Sequence, residues 1–102
     1  MAWACRSPAP SSRGLVVRMF EQTMVQCPTV DAIFVCNDDL AQGAMLAAAR
    51  LRIAVPRRVA LAGFNDLVGS EQMLPALTTV GTPRVDIGRA AARTLWHACC
   101  CN

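Results

Sequence analysis

Two apolar runs, each closed by a polar cluster and separated by one helical stretch, constrain this chain more than any other feature. The first, Asp31-Ala32-Ile33-Phe34-Val35-Cys36, ends at Asn37-Asp38-Asp39, and the second, Val59-Ala60-Leu61-Ala62-Gly63-Phe64, ends at Asn65-Asp66. The first run lacks polar alternation, which suits a strand covered on both faces in a parallel sheet. Between the runs, residues 40–50 are rich in Ala and Leu, and Leu40, Gly43, Ala44, Ala47 and Leu51 form a narrow stripe. A helix with such a stripe can lie close against a sheet. Pro56 separates it from the second run, so strand, helix and strand follow in the order and length of one βαβ crossover.

The flanks extend the pattern. Residues 1–10, with Pro8 and Pro10, read as an irregular lead-in. Ser11 or Ser12 then caps a helix over about residues 12–26, with Leu15, Val16, Met19, Phe20 and Met24 on one face, and Pro28 ends it. Beyond the second run, residues 67–75 form loop or short turns, Leu77-Thr78-Thr79-Val80 is β-prone, and a last helix spans about residues 84–97. Its apolar face holds Val85, Gly88, Ala91, Ala92, Leu95 and Trp96.

Composition excludes several chemistries. At 102 residues, 54% hydrophobic and 17% charged, the chain fits one compact domain. All ten basic residues are Arg, so a P-loop lysine, a Schiff-base lysine and a receiver-domain lysine are excluded. The net charge of +3 is too mild to argue a nucleic-acid surface. Six cysteines, three of them consecutive at Cys99, Cys100 and Cys101, show no zinc or thioredoxin-like spacing, and no metal site is expected. No apolar run approaches a membrane span and residues 1–13 do not resemble a signal peptide, so a cytoplasmic protein without membrane contact is expected.

In open α/β sheets, ligands bind outside the carboxyl ends of the strands. Asn37, Asp38 and Asp39 follow one strand there, and Asn65 and Asp66 follow the other, so amides and carboxylates can converge on one crevice. Such donors and acceptors suit a ligand with several hydroxyls; without a glycine-rich phosphate loop, a nucleotide fits less well. Two plainer readings stand beside this one. Asn37 or Asp38 caps the following helix, and Asn65-Asp66 forms a turn. Arg57-Arg58 reads as solvated loop, and strand propensity accounts for Thr78 and Thr79. With no G-x-S-x-G for His97 to serve and no lysine beside the acidic pair, neither an enzyme nor a cofactor is expected.

Five segments in one order carry a resemblance: residues 31–44, Ile53-Ala54-Val55-Pro56, Ala62-Gly63-Phe64-Asn65-Asp66, Pro75-Ala76-Leu77-Thr78-Thr79-Val80 and Ile87-Gly88-Arg89-Ala90-Ala91. Together they resemble the lac-repressor (LacI) family. Gly63-Phe64-Asn65-Asp66-Leu67 and Thr82-Pro83-Arg84 look most like its gluconate-utilisation repressors. The resemblance implies an α/β, three-layer, mostly parallel open sheet of the periplasmic-binding-protein-like type, here part of the C-terminal effector subdomain. It also implies a sugar or sugar-acid effector, gluconate-like, and a homodimer that binds DNA only through a helix-turn-helix domain outside this sequence. Asn37, Asn65 and Thr82 match the family's effector-contacting positions, with Asp38 and Asp66 beside them as further candidates.

The sequence departs from the family at three places. Asn65 stands where Asp is common, Arg52 where a Gly usually ends the helix, and the tail from Ala98 onward matches nothing in it. The resulting expectation is a truncated regulator: lead-in 1–10, partial effector subdomain 11–82, a helix of the other subdomain at 83–98, and a foreign tail at 99–102. A stand-alone solute-binding protein and a dimerisation module without ligand are the alternative expectations.

Overall fold

A computed structural model describes residues 12–100, so the lead-in at residues 1–10, Ser11, and Cys101 and Asn102 of the expected tail lie outside the description. Ser12 has an extended backbone and its side-chain oxygen accepts from the Leu15 amide at 3.1 Å, so helix α1, Arg13–Gln26, begins at the next residue. Phe20 and Thr23 of α1 are buried, with Val17 and Met24 packed against the core. Strand β1 (Ala32–Phe34), helix α2 (Asp38–Arg50), strands β2 (Ala60–Phe64) and β3 (Thr78–Val80), and helix α3 (Arg84–Cys100) follow.

The three strands form one sheet in the order β1-β2-β3, and both pairs are parallel, with Ile33 opposite Leu61 and Gly63 opposite Thr79. Residues just outside the short strands continue the ladder: the Ala60 amide donates to Asp31, Val35 to Ala62 and Asn65 to Val80. Burial alternates along each strand. Val35, Val59, Leu61 and Leu77 turn into the core, whereas Phe34 (64% exposed) and Val80 (52%) stand on the opposite face. The expectation of strands covered on both faces is therefore met on one face only among the described residues, because α1 and α2 both lie on the same side. That helical side and the sheet itself make two of the three layers of an α/β open sheet.

Helix α2 is buried on two sides. A β-carbon at Gly63 of β2 would meet Ala41, whereas one at Gly43 would meet Val16 of α1. Positions 41 and 43 lie about 200° apart around a helix, so α2 is gripped between sheet and helix. The stripe read from the sequence is thus divided: Gly43 serves the helix contact, Ala44 and Ala47 are buried, and Leu51 is exposed. Arg58, read as a solvated loop residue, instead donates to the carbonyls of Val30 and Pro28, each at 2.6 Å, and fastens the entry to β1.

No residue of α3 is buried. Its expected apolar face is present but open, with Leu95 64% and Trp96 68% exposed, and the helix runs on through Cys100 rather than stopping near His97. The molecule is correspondingly long, 59 × 30 × 26 Å.

Candidate functional site

Parallel pairing brings the ends of all three strands to one edge of the sheet. Asn37 follows β1, Asn65 and Asp66 follow β2, and Thr82 follows β3. At Asn37 the geometry realises the plain reading, a helix cap, and leaves room for the functional one. Its Oδ1 accepts from the Leu40 amide at 3.0 Å and caps α2, while its Nδ2 has no protein partner among the described residues. The cap thus fixes which way the amide faces and leaves its two donors at the rim.

Asn65 and Asp66 do form a turn, and an unusual one: their φ angles are 99° and 50°. Asn and Asp tolerate this left-handed region better than other residues with side chains. Four hydrogen bonds involving side chains hold the turn. Thr82 Oγ1 donates to Asn65 Oδ1 at 3.4 Å, and Arg84 donates to the carbonyls of Asn65 (2.8 Å) and Asp66 (3.5 Å). From beneath, the Asp66 amide donates to Thr79 Oγ1 at 3.2 Å. The structure therefore brings Asn65 and Thr82 into contact, with the exposed Asp66 carboxylate beside them.

Asp38 is placed differently from the expectation of a ligand contact. It is completely buried, and its carboxylate accepts from the Leu67 amide (2.8 Å) and Ser70 Oγ (2.7 Å) on Oδ2 and from Thr79 Oγ1 (2.6 Å) on Oδ1. Each oxygen is occupied and closed to solvent, so the group serves the protein and not a ligand in this conformation. Burial acts to raise its pKa, but the hydrogen bonds from Thr79, Ser70 and the backbone of Leu67 and Phe64 prevail and hold it below the ordinary carboxylate value. Its neighbour Asp39 faces outward and pairs with Arg13 at 3.0 Å.

Sequence reasoning missed Thr79 and Arg84. Thr79 had a legible signal: Leu77, two residues earlier, is a core residue, so position 79 points inward too, and an inward hydroxyl needs a partner. For Arg84 no signal was available, since its partners are main-chain carbonyls of a turn whose shape is not written in residue types.

Amides, a hydroxyl and a carboxylate thus meet at the edge of parallel strand ends, the place where open α/β sheets carry their diverging loops. The periplasmic binding protein-like domain family matches residues 3–100. The HTH-type transcriptional regulator GntR of Pseudomonas aeruginosa is 49% identical over 89 residues, covering 87% of this chain and 26% of that protein. The crystal structure of transcription regulator GntR from Chromobacterium violaceum is 51% identical, with a TM-score of 0.75, covering 79% of this chain and 30% of the other. That of a LacI family transcriptional regulator from Arthrobacter sp. FB24, in complex with lactose, is 25% identical with a TM-score of 0.78, covering 87% and 33%. The chain belongs to the periplasmic binding protein-like family, in the branch formed by the effector domains of LacI-family regulators. It spans about a quarter of the length of the curated relative it matches at 49% identity. No helix among the described residues is long and apolar enough to cross a membrane.

Proposed function

We propose that this chain forms one wall of the effector cleft of a cytoplasmic LacI-type transcriptional regulator, and that it binds without catalysis, metal or cofactor. Asn37, Asn65 and Thr82 contact hydroxyls of a sugar or sugar-acid effector, a gluconate-like one by kinship with the GntR proteins, with the Asp66 carboxylate as a further acceptor. The observation that carries this reading is the rim itself, where the Asn37 Nδ2 donors stand at one strand end and the Asn65-Thr82 pair at another. A polyol offers the matching alternation of donors and acceptors. The regulator acts as a homodimer, and DNA is bound by a domain outside these residues. Residues 11–82 belong to one lobe and residues 83–98 to the other, which the absence of any buried residue in α3 supports, and residues 99–102 are a sequence addition outside the family's pattern.

Calorimetric titration of the 102-residue chain with gluconate and with common pentoses and hexoses tests the reading. Weak heat with gluconate is expected, since one wall cannot enclose a ligand. It should disappear in Asn37→Ala and in Asn65→Ala. Absence of heat with every compound would sink it in favour of a dimerisation module.

A further inference from the structure

We propose that Thr79, held in place by the buried Asp38 carboxylate, is the positioning residue that shapes the Asn65-Asp66 turn for its ligand; the ligand half of this statement rests on the function proposed above. The hydroxyl of Thr79 has one proton, which it gives to Asp38 Oδ1 at 2.6 Å. That donation turns its lone pairs toward the rim, where one accepts the Asp66 amide at 3.2 Å. An ionised acceptor makes the first bond strong, and bonds in such a chain reinforce one another. The carboxylate therefore fixes the Thr79 rotor, and the rotor fixes the Asp66 amide.

The turn needs such a constraint. Asn65 and Asp66 both occupy positive φ, a region that costs side-chain-bearing residues energy unless the surroundings impose it. The Asp38 carboxylate cannot drift, because Leu67 and Ser70 hold its other oxygen, Ser70 in turn accepts from Gln42 at 3.3 Å, and Gly63 gives it room at close quarters. The arrangement links the first turn of α2, the inward face of β3 and the loop after β2 at one buried point directly beneath the rim. Ser70 contacts the same carboxylate but not the turn, so it separates positioning from general support.

Backbone amide spectra of the full chain, recorded during titration with sodium gluconate, supply the test. Thr79→Val keeps the shape and loses the hydroxyl; it should move the Asn65 and Asp66 amide resonances and weaken gluconate about tenfold, the loss of one charge-assisted contact chain. Thr79→Ser restores the hydroxyl and should bring both back to within about twofold of the original. Ser70→Ala should shift the Asp66 amide much less than Thr79→Val does. Equal behaviour of Thr79→Val and Thr79→Ser, or of Ser70→Ala and Thr79→Val, overturns the proposal. If gluconate moves no resonance even in the unaltered chain, the ligand reading fails, and positioning is still judged by the Asp66 resonance alone. Should Thr79→Val not fold, hydrogen exchange of the Asp66 amide in the unaltered chain decides: slow exchange supports the bond, and exchange at the rate of a free loop amide overturns it.

Discussion

Among the three consecutive polar residues after β1, each meets a different fate. Asn37 is half-buried and caps α2, Asp38 is completely buried, and Asp39 is exposed with Arg13. Successive positions at the start of a helix differ by about 100°, so only one of the three can point beneath the sheet edge, and packing selects it. A cluster at that place was legible in the residues; the identity of its inward member was not. The consequence for Asp38 is measurable. A carboxyl whose folded pKa is depressed contributes stability in full above its unfolded pKa, and loses that contribution as pH falls through the folded value. Urea unfolding should therefore show the chain weakening below about pH 4, the ordinary carboxylate region. Asp38→Asn should be less stable at pH 7 and show a flatter decline in that acid range. An acid slope unchanged by the substitution would contradict the role assigned to the carboxylate.

Helix α2 ends as its sequence position predicts and its residue type resists. Arg52 has φ 55°, its amide donates to Ala49 at 3.2 Å, and the Ile53 amide donates to Ala48 at 2.9 Å. These are the two reversed bonds of a Schellman ending, with Ile53 turned back toward the core. The left-handed position normally goes to glycine because a β-carbon there is crowded. Arg52→Gly should therefore raise stability by about 0.5–1 kcal/mol, which amounts to several degrees in the melting temperature of a chain this size. A calorimetric scan that finds the melting temperature unchanged or lowered would refute this. The helices and strands themselves were legible in order and extent to within a few residues, since apolar periodicity and punctuation by Pro and Ser are local signals. What α2 packs against was not, because Gly43 and Ala41 look alike in sequence and face opposite neighbours.

At the scale of the whole molecule, the described residues leave two apolar surfaces open, the outer sheet face bearing Phe34 and Val80, and α3 bearing Val85, Ile87, Leu95 and Trp96. Surfaces of this kind are where further chain or a second copy packs. The 102-residue chain produced alone should therefore sediment above monomer mass with rising concentration, and Leu95→Glu combined with Trp96→Glu should reduce this. A monomer at all concentrations would show that the exposed faces are not adhesive. The apolar runs determined by themselves that one strand falls within residues 31–36 and another within residues 59–64 with a helix between, and that polar groups gather at their ends, because burial preference and chain reach act locally along the sequence. Only the tertiary structure decided that no described residue covers one sheet face, that α3 has no buried residue, and that Asp38, Thr79 and Asp66 meet. Those outcomes depend on which distant surfaces are present to compete for each side chain, and residue types alone do not record that competition.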